Sequence, residues 1–305
     1  MKSHYSYFVR THDNERLFVM TNFRPNEWSK MGKVPLVFNY GLVCNFAHWQ
    51  YQSEYFDSLD YPVIYYDLRG HFQSSGAEKI ENCTFEIFAQ DLKSILDFFE
   101  ISRCLMLGHS MGVNVTLEFA RRYHNYLCGM VLISGTVLPP EGLMFNSNAF
   151  QYFTVAWKWL MKNFPQFHEK LWISTGQNPL LVEIVRQGGF NVKKTHREFV
   201  EVYMNRIGKL RPELFFQCLK QMNEHDMINH LEAIQTPALI MGGDKDNIIP
   251  HHVQFILNEH LPQSEIYIVK EGSHVPQVDF PDSINQRIEL FIVKLPYHLE
   301  KLTQA

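Results

Sequence analysis

Cys104-Leu105-Met106-Leu107-Gly108-His109-Ser110-Met111-Gly112 is the stretch on which the reading of this chain turns. Four apolar residues in a row suit a short strand buried on both faces. Gly108 to Gly112 then matches G-x-S-x-G, and Val113 to Tyr123 carries apolar residues at helical spacing. A serine on a tight turn between strand and helix is held clear of the sheet, and the glycines beside it let strand and helix approach. The helix that follows aims backbone N–H groups and its positive dipole end at any negative charge that develops there.

Outward from this turn, short apolar runs alternate with longer segments of helical period. Tyr5 to Thr11 and Leu17 to Thr21 read as an opening antiparallel hairpin across His12-Asp13-Asn14-Glu15. Further strands are expected at Pro35 to Tyr40, Val63 to Asp67, Cys104 to Gly108, Gly129 to Ser134, Ala238 to Gly242 and Glu265 to Val269. Helices are expected through Phe85 to Phe99, Ser110 to Tyr123, His252 to His260 and Ser283 to Lys294. Alternation of this kind predicts an α/β fold, a mostly parallel eight-stranded sheet with helices on both faces. From Val137 to Met227 the pattern is helical only, too long for one crossover. It is expected to be a helical cap inserted after the sixth strand, spanning 137–227, with the core built from 1–136 and 228–305. Phe150, Phe153, Trp157 and Phe164 lie on one helical face of that insertion and are expected to roof the site around Ser110.

A serine hydroxyl needs a base to attack at neutral pH. Among fifteen histidines, His274 follows at once on the last strand, where a loop can return over the turn at Ser110. His251 and His252 open a helix and suit a solvated cap. His225 and His230 lack the H-E-x-x-H arrangement, so no zinc site is expected. His4, His12, His48, His124, His168, His196, His260 and His298 read as surface or packing residues. The base in turn needs an acid to fix its tautomer. Asp244 and Asp246 both follow the strand Ala238 to Met241 and both satisfy the order Ser, Asp, His.

Together these segments resemble the α/β-hydrolase superfamily over nearly the whole chain. Gly108-His109-Ser110-Met111-Gly112 resembles its nucleophile elbow, and Asp67-Leu68-Arg69-Gly70-His71-Phe72-Gln73-Ser74 its D-x-R-G-x-G-x-S loop. Gly243-Asp244-Lys245-Asp246 through Pro250 resembles its acid loop, an alignment that favours Asp246. Gly272-Ser273-His274 with Asp279-Phe280-Pro281 resembles its histidine loop. Asn39-Tyr40-Gly41-Leu42 stands where the family has His-Gly after its third strand, so Tyr40 departs from the pattern, as Phe72 does at the second glycine of the Arg-Gly loop. The resemblance implies catalytic Ser110, Asp246 and His274, with the backbone N–H groups of Leu42 and Met111 as oxyanion donors. Asp67 and Arg69 are expected to be loop-fastening ion-pair partners.

Composition closes off other classes. A net charge of −4 and a pI near 6.4 give no basic footprint for nucleic acid. The longest apolar run, Leu127 to Leu138, falls short of the roughly 20 residues of a bilayer span, so no stable membrane insertion is expected. Met1 to Ser6 lacks the pattern of a signal peptide, and five cysteines without C-x-x-C spacing suit reduced thiols in the cytoplasm. No cofactor and no metal are implied. The function expected is serine hydrolysis of carboxyl esters with small to medium apolar acyl groups, lactones included, through an acyl-enzyme. A thioesterase, acyltransferase or C–C bond hydrolase on the same residues is the alternative, as is a small-molecule receptor with little turnover.

Overall fold

Continuous apolar runs become the inner strands of one sheet because each can bury both faces. In this computed structural model the described residues are 4–42, 44–144, 149–174 and 178–295, without the side chains of 149–151, 153 and 154. The eight strands are β1 (Tyr5–Arg10), β2 (Arg16–Thr21), β3 (Leu36–Asn39), β4 (Val63–Tyr66), β5 (Cys104–His109), β6 (Leu127–Ile133), β7 (Ala238–Gly243) and β8 (Ser264–Val269). They lie in the order β1-β2-β4-β3-β5-β6-β7-β8. Pairs β1–β2 and β2–β4 are antiparallel, and every other pair is parallel. Every residue of β3 to β7 is buried, whereas the edge strand β8 is mostly half-buried. The expected fold class is therefore the observed one.

The helices are α1 (Gln50–Ser58), α2 (Phe85–Phe98), α3 (Met111–Tyr123), α4 (Ala149–Asn163), α5 (Pro165–Ser174), α6 (Pro179–Gly189), α7 (Arg197–Ile207), α8 (Pro212–Glu224), α9 (Ile228–Leu231), α10 (His252–His260), α11 (Pro276–Asp279) and α12 (Pro281–Lys294). None among the described residues is long and apolar enough to cross a membrane. Between β6 and β7 the described residues contain helices and no strand.

Helix α1 escaped the sequence reading for a physical reason. It buries polar Gln52 and Asp57 beside Phe56, so no apolar stripe marks it. Gln52 Nε2 donates to the Gln277 carbonyl at 3.0 Å and to Asn285 Oδ1 at 3.1 Å, fastening α1 to α11 and α12.

One expected pairing is corrected. Arg69 fastens its loop, but not to Asp67. Its guanidinium donates to both oxygens of Asp91, at 2.9 and 2.6 Å, and to Asp13 in the β1–β2 turn at 2.8 Å. Asp67 Oδ2 accepts from the Gln73 amide of its own loop at 3.1 Å and is committed there. Tyr40 and Phe72, the two departures from the family pattern, both serve this loop. The Tyr40 hydroxyl accepts the Leu68 N–H at 2.6 Å. Phe72 adopts a left-handed backbone, φ +42°, where glycine would be unstrained.

Candidate active site

Ser110 sits between the end of β5 and the start of α3 with φ +53° and ψ −121°. This is a strained conformation for an L residue, and such strain concentrates at functional sites. The flanking glycines explain how it is built. A Cβ on Gly112 would lie 2.3 Å from the Asn39 carbonyl oxygen, and one on Gly108 would lie 2.6 Å from the Gly112 carbonyl oxygen. Without side chains, β5, α3 and the end of β3 close up. The Ser110 amide donates to the Ile133 carbonyl at 2.9 Å, which ties the turn to β6.

Two further loops meet this turn. Gly243 and Gly272 are packed backbone to backbone, since a Cβ on Gly243 would fall 2.1 Å from the Gly272 carbonyl oxygen. The Lys245 amide also donates to that oxygen, at 2.9 Å. The loops after β7 and β8 are thereby locked together. His274 Nε2 lies 3.1 Å from Ser110 Oγ, and His274 Nδ1 lies 2.9 Å from Asp246 Oδ2. The other Asp246 oxygen accepts the amides of Ile248 and Ile249 at 2.8 and 2.9 Å. Asp246 is thus the carboxylate that reaches His274, and its side chain is fully buried. Asp244 makes no such contact among the described residues; its amide donates to the Val269 carbonyl at 3.1 Å.

The loop after β3 supplies the third wall. A Cβ on Gly41 would lie 2.9 Å from Ser110 Cβ, so the backbone entering Leu42 passes close beside Ser110. Met111 opens α3 at its positive end. Backbone N–H groups at these two places can face an oxyanion formed on a carbonyl attacked by Ser110.

The histidine loop is braced from within. Asp279 Oδ2 accepts the Ser273 amide at 2.8 Å and the Ser273 hydroxyl at 2.7 Å. Its other oxygen accepts the Thr195 hydroxyl at 2.6 Å, from the segment between β6 and β7. Val275 and Val278 pack in a small core with Val182, Phe190, Val200 and Met204 of that segment. The helical segment therefore docks on the loop that carries His274.

Two histidines gain positions that their residue type alone did not announce. His109 Nε2 lies 2.8 Å from the His274 carbonyl oxygen. His48 is stacked on His109 with ring centroids 6.0 Å apart, and its edges meet Phe199 and Tyr203 of α7 at 5.2 and 5.3 Å. Burial, aided by the nearby His274, pushes His48 down to about 3, so it stays neutral. The same causes hold His109 well below the usual histidine range. His48 was expected to be a surface or packing residue, and packing is its place.

The aromatic residues expected to roof Ser110 behave differently from one another. Trp157 turns to His168 and Trp172, with ring centroids 5.2 and 6.0 Å away, and Phe164 is exposed. The side chains of Phe150 and Phe153 lie outside the described residues, as do Met1 to Ser3 and His298. Phe199 and Tyr203 of the segment instead reach His48, which stacks on His109 beside Ser110. Three side chains with metal-ligand chemistry, His12, Asp13 and Asp91, also cluster, but the Arg69 guanidinium already fills the space between the two carboxylates.

Comparison with known proteins agrees with this fold. The family model for serine aminopeptidase, S33, matches residues 36–279. The chain is 26% identical over 272 residues to Protein ABHD8 of Mus musculus, covering 86% of this chain and 56% of that protein. It therefore spans little more than half the length of those relatives. It is 24% identical over 258 residues to strigolactone esterase RMS3 of Pisum sativum, covering 84% of this chain and 91% of that one. Among solved structures, a thermophilic esterase from Thermogutta terrifontis shares the fold with a TM-score of 0.69 at 21% identity, covering 95% of this chain and 98% of that one. A bromoperoxidase from Bacillus anthracis does so with a TM-score of 0.73 at 20% identity, covering 94% of this chain and 99% of that one.

Proposed function

The chain belongs to the serine aminopeptidase S33 family of α/β-hydrolases, and from that premise we propose that it hydrolyses carboxyl esters with Ser110 as nucleophile. The observation that carries this is the continuous line from Ser110 Oγ to His274 Nε2 at 3.1 Å and from His274 Nδ1 to Asp246 Oδ2 at 2.9 Å. His274 Nε2 accepts the hydroxyl proton as Oγ bonds to the ester carbonyl carbon. The carbonyl oxygen takes the negative charge and is held by the backbone N–H groups of Leu42 and Met111. Collapse breaks the bond to the alkoxy oxygen, which leaves with the proton from His274. Water then repeats the sequence on the acyl-enzyme, giving the free acid and restoring Ser110. Asp246 keeps the proton on Nδ1 and stabilises the imidazolium that forms at each step.

Relatives and neighbours named as esterases favour the ester reading. We assign the segment 137–227 as a helical cap on a core made of 1–136 and 228–305, and expect it to select small to medium apolar acyl groups, lactones included. All five cysteines are free and buried, which suits a reducing cytoplasm.

Turnover of p-nitrophenyl esters of graded acyl length, with fluorophosphonate labelling mapped by peptide analysis, tests the proposal. The adduct is expected on Ser110, with turnover lost in Ser110→Ala. Cleavage of aminoacyl anilides without ester turnover would replace the ester reading with a peptidase one. One burst without turnover would point to a receptor.

A further inference from the structure

We propose that the outer face of α4 and α5 is a surface that binds an anionic lipid bilayer at its interface. The face is defined by exposure. Tyr152 is 74% exposed, Val155 67%, Trp159 59%, Phe164 53% and Phe167 60%. Tyr152, Val155 and Trp159 follow the spacing i, i+3, i+7 along α4, so they share one side of that helix. Trp159 meets the Phe164 ring at a centroid distance of 5.7 Å, and Phe167 stands one turn further on in α5. The five therefore continue one another across the corner at Pro165.

The opposite side of α4 is already occupied, with Trp157 against His168 and Trp172. A helix apolar on both sides needs a partner on both. Exposed apolar surface of this extent on a folded domain marks an interaction site.

Charge selects the partner. Lys158, Lys162 and Lys170 are exposed on the same two helices, against one acidic residue, Glu169, in 149–174. Lys158 turns to the Phe216 ring, 5.8 Å from its centroid, which leaves Lys162 and Lys170 beside the exposed apolar residues of a chain that as a whole carries −4. Neither Lys162 nor Lys170 has an ion pair among the described residues. A second copy of the chain would bring lysines against lysines, which disfavours self-pairing. Tryptophan, tyrosine and phenylalanine beside lysines are the composition that settles at the headgroup boundary of a bilayer, with lysines drawn to anionic lipid. No described helix is long enough to span, so the contact stays interfacial. The inference stands apart from the proposed reaction, because none of these residues touches Ser110, His274 or Asp246.

The test is co-sedimentation of the full chain with vesicles of phosphatidylcholine alone and of phosphatidylcholine mixed with phosphatidylglycerol. Binding is expected to the mixed vesicles, weaker to the neutral ones, and falling as salt is added. Lys162→Gln and Lys170→Gln should each weaken binding to the mixed vesicles by about fivefold. Trp159→Ser combined with Phe167→Ser should abolish binding to both. Circular dichroism of each variant, with fluorophosphonate labelling of Ser110, checks that the fold is kept. No binding, equal binding to both vesicles, or undiminished binding by the variants would overturn the proposal. So would light scattering that finds a dimer which Trp159→Ser with Phe167→Ser converts to monomer, since the face would then be a self-interface.

Discussion

His109 and His274 are joined ring to backbone, with Nε2 of the first 2.8 Å from the carbonyl oxygen of the second. A carbonyl only accepts, so His109 carries its proton on Nε2, and burial keeps the ring neutral. The residue before the proposed nucleophile thereby grips the residue proposed as base. Two loops separated by 165 positions in sequence are held in register by one bond.

His109→Ala should release that grip. A displacement of about 1 Å in a catalytic group can cost 10²-fold in rate, so kcat for a p-nitrophenyl ester is expected to fall by about that factor with KM little changed. His109→Gln, whose amide can donate to the same oxygen, should recover much of the loss. Equal damage in both variants would reduce His109 to a packing residue.

The two aspartates should separate by mutation. Asp246→Asn is expected to cut kcat by about 10⁴-fold through the wrong His274 tautomer. Asp244→Asn should cost far less, because Asp246 alone reaches His274. Steady-state kinetics of the pair decides it, and a reversed order of damage would remove Asp246 from the role.

Gly41→Ala places a methyl 2.9 Å from Ser110 Cβ and 3.3 Å from the His109 carbonyl oxygen. Ser110 or the wall beside it must move. Fluorophosphonate labelling of Ser110 should slow by about 10²-fold, while thermal unfolding shifts little.

Phe72 tests the left-handed backbone at φ +42°. Glycine is ordinarily about 0.5–1 kcal/mol worse than alanine in regular structure. Here a side chain carries a left-handed penalty of roughly 1–2 kcal/mol. Phe72→Gly should therefore be more stable than Phe72→Ala by about 1 kcal/mol, as read from urea unfolding. Both lose the contact of Arg206 with the ring, 5.7 Å from its centroid, so that term cancels.

Asp67 supplies a pH test. Burial raises its pKa from 3.8 to about 6, against the smaller lowering by the Gln73 amide. The folded state then holds a proton that the unfolded chain has released, so stability is lost as pH rises from about 4 to about 6. Asp67→Asn removes that loss. The melting temperature of the variant relative to wild type should be higher at pH 7.5 than at pH 4.5. The same difference at both values would mean that Asp67 titrates normally.

Much of this molecule is written locally. The eight strands lay where the sequence pattern placed them, the inner ones because strands buried on both faces are built from near-continuous apolar runs. The turn at Ser110 was legible because only glycines fit where an added Cβ would lie 2.3 to 2.6 Å from a backbone carbonyl oxygen. Helix α1 was not legible, since it buries glutamine and aspartate that show no period.

What the sequence determined by itself was the order of elements and the residue types at each turn, because both follow from spacing and from backbone constraints within a few residues. The tertiary structure decided which distant groups meet. It gave Arg69 to Asp13 and Asp91, 56 and 22 positions away, rather than to nearby Asp67. It brought Asp246 rather than Asp244 to His274, and set His48 between the turn at Ser110 and α7. It also left Trp159 and Phe167 facing outward on helices whose pattern would equally suit a buried core. The physical reason is that ion pairs, hydrogen bonds and ring contacts depend on distance in space. Helical or strand period fixes which side of an element a residue occupies, and only the packing of the whole chain fixes what that side meets.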